Sequence, residues 1–138
     1  MTDDRIAWLT AQIDDDEQLA HDAGGRNGPH GHWTRDGSIS CVVDADNKLI
    51  VYGEGEPTSD QADHIARHDP ARVLRRIERD RRTLELHDRD HECSVFDGPD
   101  GEVFNCAWLL KGDTCSTVRL MFDEYADRPG YRPEWGTL

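Results

Sequence analysis

Three of the chain's four cysteines, Cys93, Cys106 and Cys115, fall in the last third of the sequence, with His87 just upstream. That clustering constrains the fold more than any other feature, because a thin core raises the value of a staple. Hydrophobic residues make up 36% of the 138 positions and charged residues 33%, so apolar burial has little material to work with. Zinc takes four tetrahedral nitrogen or sulfur ligands, commonly from a helix end and a hairpin. The pattern here supplies both.

The apolar stripe Val73, Leu74, Ile77, Leu84 predicts a helix that starts at Asp69-Pro70 and runs to about His87, which continues the stripe. Cys93 and Cys106 flank a hairpin expected as Cys93–Phe96 and Val103–Cys106, around Asp97-Gly98-Pro99-Asp100-Gly101. Cys115 sits in the first turn of a last helix, expected to be capped by Asp113, where the helix dipole favours a thiolate. The expected cofactor is therefore one structural zinc on His87, Cys93, Cys106 and Cys115, with His91 as the alternative to His87. No pair has Cys-x-x-Cys spacing, so two other arrangements stay open: disulfide pairing, or buried thiols packing as small hydrophobes beside a surface histidine. Three thiolates and one imidazole would leave no open coordination position, which makes such a site architectural and argues against a zinc hydrolase.

The remaining elements read as a single α+β domain over 1–138. Residues 1–23 form a helix capped by Thr2, with Ile6, Leu9, Ile13 and Ala20 inward and Asp14, Asp15, Asp16 and Glu17 on a solvated face. Residues 33–53 form a small antiparallel meander: Trp33-Thr34, Ser38–Val43 and Leu49–Tyr52, with Asp44–Asn47 as a turn. Residues 59–88 are a helix pair capped by Ser59 and by Asp69. Residues 91–138 hold the Cys-containing hairpin, a helix carrying Val118, Leu120, Met121 and Tyr125, and a Pro- and aromatic-rich tail held by its rings.

A formal charge of −13 disfavours broad contact with nucleic acid or anionic membrane. The exception is the arginine-rich helix, where Arg72, Arg75, Arg76 and Arg79 can grip phosphates, interrupted by Glu78 and Asp80. His64 and His68 stand at i, i+4 on one helix face, the spacing of the zinc-protease helix, but Ile65 occupies the position where that motif carries its glutamate base. They are read as packing or capping residues, with a metal-dependent hydrolase as the least favoured alternative. His30 and His32 lie in a glycine-rich loop and are read as solvated; Cys41 is read as a core thiol. The start Met1-Thr2-Asp3-Asp4 lacks the features of a signal peptide and no apolar run approaches membrane-spanning length, so the expected location is cytoplasmic, with reduced cysteines. Lys48 and Lys111 are the only lysines, a bias that fits a GC-rich genome or a halophile.

Three stretches resemble a known family. They are His64-Ile-Ala-Arg-His68-Asp69-Pro70-Ala71-Arg72-Val73-Leu74, then Leu84-Glu-Leu-His87, then Tyr125-Ala-Asp-Arg-Pro129-Gly130-Tyr131-Arg132-Pro133-Glu134-Trp135. The opening helix and Val51-Tyr52-Gly53-Glu54-Gly55 are similar too, so the likeness covers most of the chain. The family is one of short proteins from actinobacteria and their phages, with a domain of unknown function and no biochemical activity attached. Its members tend to show a Cys-x-x-Cys after the long helix and a Cys-Pro-Thr-Leu-Arg before the last one. Here Cys115-Ser-Thr-Val-Arg119 matches the second, while Cys93 and Cys106 are widely separated in place of the first. The resemblance implies Cys115 and His87 as ligands, and an actinobacterial source agrees with the arginine bias.

The expected function is that of a non-enzymatic accessory protein that binds another macromolecule, most simply a protein. Nucleic-acid contact through the arginine helix is the runner-up. An acidic inhibitor of phage origin that mimics DNA would instead need its carboxylates in rows at phosphate-like spacing.

Overall fold

The computed structural model describes residues 4–24, 29–37, 41–52, 57–87, 94–97, 102–105 and 115–137. The chain packs as two compact units, a terminal one built from Met1–Gln12 and Arg79–Leu138 and an internal one from Ile13–Glu78. The architecture is α+β, with four helices, a three-stranded antiparallel sheet and a two-stranded hairpin among the described residues. No helix among them is long and apolar enough to cross a membrane.

Helix α1 (Asp4–Gly24) buries Leu9, Ile13 and Ala20, as its apolar spacing predicts. Its acidic face is less solvated than expected, because the Asp16 carboxylate lies 3.4 Å from the Arg76 guanidinium. In the internal unit, β1 (Trp33–Arg35), β2 (Val42–Asp44) and β3 (Leu49–Val51) form a meander in the order β1-β2-β3. Val42 and Val43 of β2 are buried together with Cys41, and the register shifts between the two valines. The three successive buried residues of β2 depart from simple alternation because the shift turns the strand at that point. Residues 38–40, expected to belong to this strand, lie outside the described residues.

Helix α2 (Ser59–Arg67) packs on β1 and β2. Its cap is Thr58, one residue before the Ser59 expected from sequence, because Gln61 completes a capping box with Thr58: each side chain accepts from the other's backbone N–H. Arg35 Nε donates to Asp63 Oδ1 at 2.6 Å and ties β1 to this helix. Helix α3 (Pro70–His87) starts with proline, whose absent N–H is no loss at that position. Asp69 caps it through the Arg72 N–H at 2.8 Å and also accepts from the Trp33 N–H at 3.1 Å, so one carboxylate fixes both a helix start and the β1 edge. Gly24 ends α1 where a Cβ would come within 2.9 Å of Gly31 Cα and 3.0 Å of Pro70 Cβ. Only glycine permits that approach.

In the terminal unit, β4 (Ser94–Asp97) pairs antiparallel with β5 (Glu102–Asn105), Ser94 opposite Asn105. Helix α4 (Ser116–Asp123) has Cys115 at its N-cap position. Asp113, the expected cap, lies outside the described residues. Val118, Phe122 and Tyr125 form the buried stripe, whereas Leu120 is 61% exposed. Positions 118, 122 and 125 follow helical spacing, and 120 falls on the opposite side.

The aromatic tail is held by its rings. Trp8 stacks on Phe122 with centroids 6.2 Å apart and meets Trp135 at 5.4 Å and Tyr131 at 6.1 Å. Its indole Nε1 donates to the Pro129 carbonyl at 3.2 Å. Arg128-Pro129-Gly130-Tyr131 is a tight turn closed by the Tyr131 N–H on the Arg128 carbonyl, with Gly130 at φ +85°. Proline second and a positive-φ glycine third are the residues a type II turn demands. Beyond it, Arg119 donates twice to the Gly136 carbonyl, at 2.7 and 3.1 Å, and Asp123 accepts from the Thr137 N–H at 2.8 Å.

Candidate metal centre

His87 closes α3 and Cys115 stands at the start of α4, 28 residues later. The terminal unit brings them together. Cys115 Sγ lies 3.6 Å from His87 Nδ1 and 3.9 Å from the His87 carbonyl oxygen, and Cys115 is 4% exposed. Although the residue occupies an N-cap position, its side chain makes no capping hydrogen bond. The sulfur faces the imidazole instead. Zinc bonds of about 2.3 Å to sulfur and 2.0–2.1 Å to imidazole, meeting at a tetrahedral angle, hold their ligand atoms about 3.5–3.6 Å apart. The observed separation equals that edge and is also that of a thiol–imidazole hydrogen bond.

Cys93, Cys106 and His91 lie outside the described residues, as does the hairpin tip. Among the described residues there is no group of three or more His, Cys, Asp or Glu side chains arranged to hold a metal ion. Cys41 is a free buried thiol next to β2, in keeping with a core role.

The arginines of α3 divide by environment. Arg72 and Arg75 are exposed on its first turns, and Arg72 Nη1 donates to the Arg67 carbonyl at 3.4 Å. Arg76 is half-buried against Asp16, and Arg79 donates Nε and Nη2 to Asp80 Oδ1 at 2.8 and 2.6 Å. Internal carboxylates thus draw on two of the four positions expected to contact phosphate.

The His64 and His68 rings stand 4.5 Å apart and tilted by 37°. Desolvation lowers the His68 pKa, and the charges of His64, Arg72, Arg67 and Arg76 push the same way.

One arrangement escaped sequence reasoning. His30, on the short 3-10 turn Pro29–Gly31, places Nδ1 2.7 Å from Oδ2 of Asp44, a carboxylate that is almost fully buried. Oδ1 of Asp44 accepts from the N–H groups of Asp46 and Lys48, both at 2.9 Å, which folds the turn into β3. The hydrogen bond with His30 is the largest influence holding the Asp44 pKa below its ordinary value; burial opposes it, and the two backbone N–H groups support it. The pair joins a glycine-rich loop to the end of a strand 14 residues later, a separation with no local sequence signature. Asn47 at φ +62° in the same turn is the only sign that sequence offers, since asparagine tolerates that conformation.

No curated protein and no solved structure gives a significant match to this chain. A family profile spans nearly all of it, residues 2–137, and on that match the chain belongs to the family of unknown function DUF6221.

Proposed function

We propose that this chain is a non-enzymatic accessory protein that acts by binding another macromolecule, a protein, and that a structural zinc on His87, Cys93, Cys106 and Cys115 braces its terminal unit. The observation that carries the zinc is the pairing of His87 Nδ1 with Cys115 Sγ at 3.6 Å, across 28 residues and at the edge length of a zinc tetrahedron. The proposal requires the hairpin ladder to run one pair beyond Ser94 and Asn105, which would set Cys93 opposite Cys106 with Cβ atoms about 4.5–5.5 Å apart. Three thiolates and an imidazole then saturate the ion, leaving it no position for water or substrate. Leu86 at 67% and Leu120 at 61% exposure are the apolar positions of the terminal unit at which binding of a macromolecule can be tested.

Elemental analysis of untagged protein, with thiol counting alongside, tests the metal. One zinc per chain and three thiols protected until a chelator is added are expected; a metal-free protein with freely reactive thiols, or a Cys93–Cys106 disulfide, refutes it. The binding role is tested by crosslinking capture with the intact chain as bait, compared with Leu86→Asp and Leu120→Asp. A specific protein retained by wild type and lost from either variant is expected; repeated capture of nothing overturns it.

A further inference from the structure

The internal unit contains a cavity of about 230 Å³ between α1, β1 and the α2–α3 junction. Its walls are apolar: Ala20 and Ala23 on one side, the Trp33 ring across from them, and Val73 beside Pro70. Leu19 stands at its rim, 67% exposed. His68 and Arg76 supply polar atoms, together with Asp16, which already pairs with Arg76.

Two features mark this space as built. First, its walls are fixed independently of any occupant. Trp33 Nε1 donates to the His30 carbonyl at 2.7 Å, the Trp33 N–H donates to Asp69 at 3.1 Å, and the close approach of Gly24 to Pro70 sets the spacing of the two helices. A pre-set cavity spares a ligand the ordering that a collapsed one would require. Second, its polar side carries two basic side chains, His68 and Arg76, in a chain of net charge −13. Arg67, Arg72 and Arg76 all bear on His68 with positive charge, while the Asp16 carboxylate pairs with Arg76 and that of Asp69 accepts from the Trp33 and Arg72 N–H groups. An apolar chamber with a few convergent polar groups is the usual form of a small-ligand site, and this one is smaller than the usual range, which begins near about 300 Å³.

We infer that this cavity binds a small carboxylate with an apolar body, its chain against Trp33, Ala20, Ala23 and Val73 and its carboxylate toward His68 and Arg76. A volume of this order excludes a folded partner segment and admits a body of roughly ten heavy atoms. The site is independent of the metal and of the macromolecular partner.

The test titrates octanoate, octanol and octylammonium into the ¹⁵N-labelled full chain and follows amide and indole resonances. Octanoate is expected to shift the Trp33 indole and the Ala20 and Ala23 amides saturably, with octylammonium at least tenfold weaker. Leu19→Glu, at a rim position too exposed to disturb the fold, is expected to weaken octanoate about tenfold, while Leu19→Lys keeps or strengthens it. The inference is overturned if octanoate gives no saturable shift at millimolar concentration, if its shifts fall outside these residues, if octylammonium binds equally well, or if Leu19→Glu changes nothing.

Discussion

Replacing Gly130 with alanine tests how the tail turn and the ring cluster depend on each other. Gly130 sits at φ +85°, where an L side chain costs about 1–2 kcal/mol in backbone strain. A Cβ there would lie 2.9 Å from Trp8 Nε1, the atom that donates to the Pro129 carbonyl. Moving the indole aside to relieve that contact sacrifices a hydrogen bond worth about 1 kcal/mol and loosens the contacts of Trp8 with Phe122 and Trp135. Against this, alanine narrows the unfolded ensemble by about 0.4–1 kcal/mol. The net expectation is a destabilisation of about 1–2.5 kcal/mol, or a fall of roughly 0.5–1.5 M in the urea midpoint at an ordinary denaturant slope. The assay is urea unfolding followed by circular dichroism for wild type, Gly130→Ala, Trp8→Phe and the double variant. Phenylalanine at position 8 removes the nitrogen that the new methyl strikes, so Gly130→Ala should cost about 1 kcal/mol less in that background. A loss below about 0.5 kcal/mol, or an equal loss in both backgrounds, would refute the reasoning.

Other outcomes follow from features already described. Phe122→Ala, which empties a fully buried ring position between Trp8 and Trp135, should cost about 3–5 kcal/mol in thermal or urea unfolding, and Phe122→Leu far less. Because the folded-state pKa of Asp44 is depressed, its stabilising contribution is complete above the ordinary value of 3.8 and is lost as pH falls below it. Asp44→Asn keeps an oxygen for the Asp46 and Lys48 N–H groups, so its urea midpoint should fall less steeply than that of wild type below about pH 4. If the proposed zinc is present, Cys115→Ser and His87→Ala should each lower zinc content, and chelation should unfold the terminal unit while leaving the His30–Asp44 pair detectable by histidine NMR.

Helix α1, the meander, the Asp69-Pro70 junction and the final helix were legible because each rests on a local signal: apolar spacing, a cap, or a turn residue. Where two local signals competed, tertiary or neighbouring contacts decided. Thr58 displaced Ser59 as the cap because Gln61 answers it. The His87–Cys115 approach was half legible, since the helix stripe aims His87 inward but nothing local says what it meets. The His30–Asp44 pair and the cavity beside Trp33 were illegible. Both join segments separated in sequence, through loop geometry that composition does not encode.

The ring cluster also carries a kinetic consequence. Trp8 leaves the ribosome early, yet its hydrogen-bond partner at Pro129 is made 121 residues later. At about 5–20 residues per second that delay is roughly 6–24 s, during which an apolar indole has none of its native neighbours. The internal unit can assemble during this interval, but the terminal one must wait for Trp135, so premature termination anywhere before that residue should leave an adhesive nascent helix and a chain prone to aggregate.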